Sequence, residues 1–340
     1  MQKTQEGQRL TTGQKIADFS KKNVIVIVLI LLCIGFAIGN KNFLKPTNLV
    51  NLTTQMAINA VLTVGLTYVI ILGGIDISVG AVAAVAGVAS ALVCKAILPG
   101  DANVLIMVLV QVAVGIAVGA VFGAFNGFMI TKFAIVPMIV TLASQTIARG
   151  FAYIFSGGTS VSGLTSVYSW LGASRLLKTE SQPNGWIPII TIFVVVLVVI
   201  MHTLLSKTVF GRHVFATGSN KNVAHLSGIN TGKITFLCHT ICGIMAGIAG
   251  VLNSSKLQNG QPGACEGYEM FAIAATVMGG TSLNGGSGSI ARAMFGCAVV
   301  AVINNGMNLL HIDSYWQKVV LGIIILLAVL MDMVQKKQKN

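Results

Sequence analysis

Apolar runs long enough to cross a membrane recur along almost the whole of this chain. A transmembrane helix needs about 20 predominantly apolar residues, and about ten runs approach or exceed that length. These runs lie at 24–39, 56–73, 78–95, 103–130, 134–155, 187–205, 233–253, 266–280, 290–309 and 317–334. Only 9% of the residues are charged, against about 25% in soluble domains. The sequence therefore predicts an all-α polytopic transmembrane helical bundle that occupies 23–334 as a single domain.

The basic residues lie in short stretches between the apolar runs and give the chain a net charge of +13. Lys and Arg favour the cytoplasmic loops of membrane proteins. An N-terminus held inside places the 206–232 loop, which has no acidic residue, on the same side. An even number of spans then returns the C-terminus to that side. We therefore expect a cytoplasmic segment at 1–22, a cytoplasmic tail at 335–340 and no nucleic-acid partner.

Two glycine-rich stretches of similar sequence interrupt the apolar runs. Gly73–Gly80 reads GGIDISVG, and Gly279–Gly288 reads GGTSLNGGSG. Each stretch places a Gly-Gly pair and short polar residues between apolar segments. Paired interruptions of this kind are typical of transporters with discontinuous helices. We therefore expect broken or re-entrant helices at both positions.

Asp76 is the most informative acidic residue, because a carboxylate within a membrane costs at least about 2.5–3.5 kcal/mol. Asp76 and Ser78 stand at the start of the apolar run at 78–95, where a side-chain oxygen can cap the free N–H groups of a helix. The same position fits a helix end that lines a water-filled pathway. Both interpretations remain open, so Asp76 and Ser78 are candidate pathway residues.

Amide side chains form two groups. Asn51, Gln55 and Asn59 recur every four residues, which gives one stripe on a helix, and three more asparagines lie within 304–308. Amides donate and accept hydrogen bonds without carrying charge, which suits a neutral polyhydroxylated ligand. The alternative is hydrogen bonding between helices, which contributes about 0.6 kcal/mol per pair. The candidate pathway residues are Gln55, Asn59, Asp76, Ser78, Asn304, Asn305 and Asn308.

The segment 217–229 predicts a short helix within a polar loop. Asn220 is a favourable N-cap residue and Gly228 is a favourable residue after the last turn, with two helical turns between them. Val223 and Leu226 make this helix partly apolar. A capped and partly apolar helix in a loop indicates contact with another protein, although an ordinary surface helix has the same pattern.

Enzyme chemistry and metal binding find no support in the sequence. The chain has no G-x-S-x-G or H-E-x-x-H motif and no G-x-x-x-x-G-K-[ST] phosphate loop, so it cannot hydrolyse ATP by itself. Its six cysteines form no C-x-x-C pair and are expected to pack as small apolar residues. Glu266 and Glu269 begin the run at 266–280, where the helix dipole or an external docking partner accounts for them.

Four blocks of residues resemble the permease subunits of ribose-type carbohydrate ABC importers and together span most of 43–332. They are 43–51 (FLKPTNLVN), 74–80 (GIDISVG), 211–229, and a stretch that begins at 267–269 (GYE), includes GGTSLNGGSGSI and ends at Asp332. The GIDISVG and GYE…GGTSL blocks are specific in combination.

By that resemblance, 23–334 is a permease domain, and 206–232 is a coupling loop whose short helix sits in a groove of a cytoplasmic ATPase. The resemblance also implies two permease copies around one pathway in the bacterial inner membrane and a small sugar as substrate. An extracytoplasmic binding protein would dock at Glu266 and Glu269, and the ATPase would bind ATP and Mg²⁺, so this chain would need no cofactor. The implied coupling residues are Gly218, Ser219, Asn220, Ala224, His225, Leu226, Ser227 and Gly228.

Some positions depart from the family pattern. Ser219 replaces a common second glycine, and Lys221-Asn222-Val223 replaces a more acidic or alanine-rich start of the coupling helix, which leaves the identity of the ATPase open. Two alternatives also remain. One is a branched-chain amino-acid permease of the same superfamily, and the other is an ATP-independent secondary transporter or channel in which Asp76 couples an ion.

Overall fold

The computed structural model describes residues 24–98, 102–177 and 185–337. The helices are α1 (Val24–Gly39), α2 (Pro46–Ile71), α3 (Val79–Ile97), α4 (Val104–Lys132), α5 (Pro137–Ser156), α6 (Trp170–Ala173), α7 (Ile189–Lys207), α8 (Val209–Ser219), α9 (Lys221–Leu226), α10 (Thr231–Leu257), α11 (Tyr268–Met278), α12 (Ile290–Leu309) and α13 (Ser314–Lys337). An antiparallel hairpin of β1 (Arg175–Leu176) and β2 (Ile187–Pro188) pairs Arg175 with Pro188 and Leu176 with Ile187. Apart from this hairpin, the described residues have the predicted all-α class.

Seven of the described helices are long and apolar enough to cross a membrane, namely α2, α3, α4, α5, α7, α10 and α12. Shorter apolar helices lie at Val24–Gly39, Tyr268–Met278 and Tyr315–Leu327. The chain is therefore a polytopic helical bundle with the composition of a membrane protein. The predicted cytoplasmic segment at 1–22 lies outside the described residues, as do residues 338–340 of the predicted tail.

α2 differs most from its predicted bounds, because it begins at Pro46 and not at residue 56. Pro is favoured in the first turn of a helix, because the N–H groups there have no partner within the helix and the N–H that Pro lacks is not needed. The polar residues Asn48, Asn51 and Gln55 therefore belong to the helix itself. A prediction based on apolar runs alone therefore omits this polar N-terminal part of the helix.

α2 and α10 form the centre of the bundle. The second part of α2 is buried on all sides, and Val61, Val64, Leu66 and Ile70 are fully enclosed, as expected of a helix that is apolar around its whole circumference. α10 packs against α2, α3 and α4. These central helices fix the positions of the breaks described below.

Glycines at every fourth position of α4 allow this helix to approach α10 closely. A Cβ atom on Gly115, Gly119, Gly123 or Gly127 would press on the backbone of α10. Small residues at such interfaces are a common means of association between membrane helices. This spacing is visible in the sequence and predicts a close helix pair, although it does not identify α10 as the partner.

Helices are interrupted at both glycine-rich stretches. α2 ends at Ile71 and α3 begins at Val79, so residues 72–78 form what we call the first break. α11 has 11 residues, a length of about 16 Å, which is about half of a bilayer core. Residues 279–289 then form the second break, and α12 begins at Ile290.

Candidate functional site

The predicted short helix is α9, and both of its ends have the expected caps. The Asn220 side chain accepts hydrogen bonds from two N–H groups in the first turn of α9, both at 3.0 Å. Gly228 has a φ of 85°, the left-handed conformation that glycine adopts readily after a helix. The helix therefore forms as the sequence predicts, while its role as a coupling helix remains a prediction.

α9 turns one small side chain inward and two large apolar side chains outward. Ala224 is only 4% exposed, whereas Val223 is 57% exposed and Leu226 is 87% exposed. The predicted coupling residues His225 and Ser227 are also exposed. Adjacent exposed apolar side chains rimmed by polar residues are typical of a protein contact site.

α8 ends where the two breaks meet. Gly218 lies so close to Ile71 that a Cβ atom would overlap the Ile71 carbonyl oxygen. The same oxygen accepts a hydrogen bond from the Gly286 N–H at 2.8 Å, and a Cβ on Gly285 would press on Gly73 and Gly218. We call Ile71, Gly73, Gly218, Gly285 and Gly286 the glycine junction. It connects the end of α2, the second break and the helix that leads into α9.

Asp76 is 1% exposed and is not itself the N-cap residue of α3. The N-cap residue is Ser78, whose side chain makes no capping bond. The Asp76 Oδ1 atom instead accepts hydrogen bonds from the Ser78 N–H at 2.9 Å and from the Ser78 hydroxyl at 2.6 Å. The Asn126 amide of α4 donates to the Ser78 hydroxyl oxygen at 3.0 Å. The Asp76 carboxylate therefore accepts the N–H group at the start of α3, and its role on a pathway stays a prediction.

Two residues of α10, His239 and Cys242, lie within range of electrostatic interaction with the Asp76 carboxylate. The His239 Nδ1 atom lies 2.9 Å from a carbonyl oxygen of its own helix. The Cys242 thiol interacts with the Asp76 carboxylate through a side-chain hydrogen bond, whereas the His239 Nε2 atom and the Asn126 Oδ1 atom have no hydrogen-bond partner among the described residues. We call Asp76, Ser78, Asn126, His239 and Cys242 the Asp76 cluster. Its unpaired polar atoms are available to water or to a polar ligand.

Glu269 marks the place where the N-terminal ends of α3 and α11 meet. It is 6% exposed, and a Cβ atom on Gly80, the second residue of α3, would overlap its Oε2 atom. Helix N-termini favour a negative charge, so two of them together stabilise a buried carboxylate. Nearby, Arg149 of α5 donates to the carbonyl oxygens of Pro262 and Ala264 at 2.7 and 2.8 Å.

The predicted docking pair is therefore separated by the structure. Glu266 is exposed and Glu269 is buried. Glu269 is buried where two helix ends converge, and its docking role stays a prediction. The docking role of Glu266 likewise stays a prediction.

The asparagines late in the chain mostly bond to other helices. Asn305 exchanges two amide hydrogen bonds with Asn48, at 2.9 and 3.0 Å, and so ties α12 to α2. The Asn308 side chain accepts a hydrogen bond from Gln317 at 2.7 Å. Asn304 is half-buried on the same helix. For Asn305 the interhelical interpretation of the amide stripe is observed directly.

The amides of α2 lie in a different place. Asn51 and Gln55 line a cleft of about 250 Å³ between α2, the β hairpin and the end of α10, together with Arg175 and Lys256. The Arg175 guanidinium donates to the Asn51 Oδ1 atom at 3.0 Å. We call this space the hairpin cleft. Asn59 lies further along α2, half-buried, and its Oδ1 atom has no partner among the described residues.

Tyr168 anchors the segment at 157–169, outside the long helices, to α10. Its hydroxyl lies 2.7 Å from the Ser254 hydroxyl, and its carbonyl oxygen accepts hydrogen bonds from Ser255 at 2.8 Å and from Gln111 at 2.9 Å. Burial raises the pKa of Tyr168 to about 12, so the hydroxyl stays neutral and can donate. This anchor holds the segment against the helix that also borders the hairpin cleft.

Sequence reasoning did not single out Asn126 or His239 for the site. Both are polar residues inside apolar runs, which is itself a signal of a functional or structural role in membranes. What the sequence does not show is that they meet Asp76. Within the described part of the chain, no group of His, Cys, Asp and Glu side chains could hold a metal ion, and the cysteines there are free.

Known proteins resemble this chain along most of its length. A family profile described as "Branched-chain amino acid transport system / permease component" matches residues 48–329. The chain is 41% identical over 321 residues to the ribose import permease protein RbsC of Bacillus subtilis, which covers 94% of this chain and 92% of the relative. It is 35% identical over 318 residues to RbsC of Escherichia coli strain K12, with 92% and 93% covered.

A third relative is the L-arabinose transport system permease protein AraH of Escherichia coli strain K12. The chain is 34% identical to it over 316 residues, which covers 93% of this chain and 92% of the relative. No solved structure matches. The chain therefore belongs to this family of transport-system permease components and is a multi-pass protein of the inner membrane.

Proposed function

We propose that the chain is the permease subunit of a binding-protein-dependent ABC importer and that it translocates ribose or a closely related monosaccharide. The observation that carries the proposal is the similarity to permeases named for ribose and L-arabinose, which extends over 92–94% of this chain. The geometry of α9 and the glycine junction adds a physical route by which a second protein can act on the bundle.

In this proposal, α9 is the coupling helix that docks on a cytoplasmic ATPase. Val223 and Leu226 are the outward apolar contacts, whereas Ala224 seats the helix on its own chain. ATP and Mg²⁺ are bound by the ATPase, and this chain contributes no cofactor. The assembly contains two permease copies around one pathway, and the binding protein docks from outside on the surface that includes Glu266.

The glycine junction transmits movement of α9 to the second break. Gly218 meets the Ile71 carbonyl oxygen and the second break by direct backbone contact, so no intervening side chain can absorb a displacement by changing its rotamer. The second break carries α11 on one side and α12 on the other. A shift at the junction therefore tilts half-length α11 and changes which side of the membrane reaches the interior, the usual basis of alternating access.

Ten traversing segments and two cytoplasmic termini give the simplest topology for this arrangement. The seven long apolar helices, α1, α13 and the segment that contains the half-length α11 supply the ten segments. The interior pathway passes the Asp76 cluster, whose unpaired oxygen and nitrogen atoms suit sugar hydroxyls. The proposed pathway residues are Asn59, Asp76, Ser78, Asn304 and Asn308, because Asn305 pairs with Asn48 between helices and Gln55 lines the hairpin cleft.

The direct test is ATP turnover in proteoliposomes that contain this permease, its ATPase and its binding protein. We expect ribose-loaded binding protein to stimulate turnover and to drive uptake, because α9 couples the two events. The permease without the ATPase should show neither activity. Robust ribose uptake by the isolated permease, driven by an ion gradient alone, would contradict the proposal and favour a secondary transporter.

The docking face of α9 is tested by the substitution Leu226→Arg. The new charge should prevent capture of the ATPase by the detergent-solubilised permease, because Leu226 is 87% exposed and apolar. Leu177→Arg is the matched control, since Leu177 is 64% exposed beside the β hairpin, far from α9 in the chain. Equal capture of the ATPase by both variants would show that α9 is not part of the ATPase interface.

A second candidate substrate is a branched-chain amino acid, and the description of the matching family favours it. The binding protein separates the two candidates. Thermal stabilisation of the binding protein by ribose, and not by leucine, supports the sugar. Stabilisation by leucine alone would indicate that the permease transports an amino acid by the same coupling mechanism.

A further inference from the structure

The hairpin cleft contains two cationic side chains and several neutral donors. Arg175 and Lys256 line it together with Asn51, Thr54 and Gln55, and no acidic side chain is among the described residues that line it. Within the cleft, Arg175 donates a hydrogen bond to the neutral Asn51 Oδ1 atom at 3.0 Å. Two like charges that share a small cleft repel each other unless an anion lies between them.

The size and lining of the cleft suit a small anionic group. Its volume is about 250 Å³, which lies just below the usual range of about 300–1,000 Å³ for sites of drug-sized ligands. Guanidinium, ammonium and amide N–H groups are the usual donors to phosphate oxygens. A neutral sugar would need the amides, but it would leave both cations without a counter-charge.

The position of the cleft places it near a membrane surface. Asn51 lies in the second turn of α2, and Lys256 lies in the last turn of α10. Helix ends of this kind lie at the level of lipid headgroups when the helices span a bilayer. The third wall is formed by Pro188, directly before α7.

An exposed apolar stripe continues from this wall along α7. Ile192, Val195 and Val199 recur at helical spacing along α7, which begins directly after Pro188, and they are 41%, 56% and 58% exposed. Residues spaced in this way share one face of a helix. A polar cleft at a helix end, continued by an apolar stripe toward the membrane interior, matches the shape of a phospholipid.

We propose that the hairpin cleft binds the phosphate headgroup of an anionic membrane lipid, with the acyl chains along the exposed face of α7. Arg175 and Lys256 hold the phosphate, Asn51 and Gln55 complete its hydrogen bonds, and the stripe at Ile192–Val199 contacts the chains. Such a lipid fills the space between α2, α7 and the hairpin. This site is independent of the proposed transport function, because its ligand is a component of the bilayer.

The test is native mass spectrometry of the full chain after titration with phosphatidylglycerol or with phosphatidylcholine of the same acyl chains. We expect phosphatidylglycerol to stay bound, and Arg175→Gln or Lys256→Gln to weaken it about fivefold each, as for one basic residue near an anionic membrane surface. Lys256→Arg should retain binding because it keeps the charge. Lys95→Gln is the control, since its ammonium group bonds the Ser162 carbonyl oxygen away from the cleft.

A second measurement does not depend on the variants. Phosphatidylglycerol should raise the temperature of unfolding of the wild-type protein more than phosphatidylcholine does, whereas millimolar inorganic phosphate should not. Equal effects of the two lipids, or equal weakening by Lys95→Gln, would overturn the proposal. Displacement of the lipid by inorganic phosphate would show that the site takes a free anion, which would also overturn it.

Discussion

The two breaks begin with the same Gly-Gly pair but are held in different ways. The first break is closed by buried side chains, and Asp76, Ser78, Asn126 and Thr141 are at most 1% exposed. The second break is closed mainly by its own backbone. The Ser282 N–H donates to the Ser287 carbonyl oxygen at 3.0 Å, and Ser287 is exposed.

This difference separates a fixed point from a movable one. Buried polar groups are costly to leave unpaired, so the first break resists any displacement that opens the Asp76 cluster. The second break can shift with less loss, because water can replace bonds at its exposed residues Gly280, Asn284 and Ser287. Gly218 meets the second break at Gly285 and Gly286, and it meets the Ile71 carbonyl oxygen at the end of α2. We infer that the second break moves with α9 while the first break acts as the pivot.

The largest expected loss of ATP turnover comes from Gly218→Ala, which disrupts the contact of α8 with the glycine junction. The added Cβ atom would overlap the Ile71 carbonyl oxygen, and strain of this size costs about 1–3 kcal/mol. Ribose-stimulated ATP turnover should fall about tenfold or more. Gly232→Ala in the same loop is the control, because the nearest atom to its Cβ is 3.6 Å away. Equal ATP turnover in both variants would show that coupling to the ATPase does not depend on the glycine junction.

The next largest effect is a loss of stability, expected when Asp76→Ala disrupts the first break. Loss of the Oδ1 acceptor leaves the Ser78 N–H and hydroxyl unpaired in the interior, so stability should fall by about 1–3 kcal/mol. Thermal unfolding in detergent measures the change. Asp76→Asn keeps an acceptor and should lose less, while ATP-driven uptake persists. Loss of uptake with Asp76→Asn at full stability would assign the charge to ion coupling instead.

A smaller effect is expected from Asn220→Ala, which removes the cap of α9. A lost N-cap costs about 1 kcal/mol, and this cost falls on the six-residue helix that faces the ATPase. ATP turnover should therefore need a higher ATPase concentration to reach its maximum. Asn103→Ala removes the corresponding cap of α4, whose side chain accepts from the Leu105 N–H at 2.8 Å. A similar change in both variants would show that α9 has no special role.

The smallest effect is expected from Asn305→Ala, which is remote from both breaks. Interhelical pairs of this kind contribute about 0.6 kcal/mol in membranes, and Asn48 keeps its bond to the Phe43 carbonyl oxygen. Thermal unfolding should shift slightly, and ATP turnover should not change. The control Asn304→Ala, at the neighbouring position, should shift thermal unfolding less than Asn305→Ala does. A large loss of uptake with Asn305→Ala would place this pair on the pathway after all.

Local features of the chain could be predicted from sequence because their causes are local. Asn220 and Gly228 lie within one short segment, and they set the bounds of α9 correctly. The Gly-Gly pairs located both breaks for the same reason. The start of α2 was predicted late, since Asn48 and Asn51 are polar but lie in the first turns of the helix.

Contacts between distant parts of the chain could not be predicted in this way. Asn126 reaches Ser78 across 48 positions, and no periodicity in either segment indicates this pairing. Glu269 was placed with Glu266 because they are neighbours in sequence, whereas its burial depends on Gly80 in another helix. The glycines of α4 show a close helix pair, but only the fold identifies α10 as the partner.

Hydrogen exchange of the assembled complex, with and without trapped ATP, tests the central claim most directly. Peptides that cover 282–286 should change their exchange when the ATPase closes, because the bond from the Gly286 N–H to the Ile71 carbonyl oxygen lies in the glycine junction. Peptides that cover 76–79 should keep the same slow exchange in both states. A larger change at 76–79 than at 282–286 would contradict the assignment of pivot and moving break.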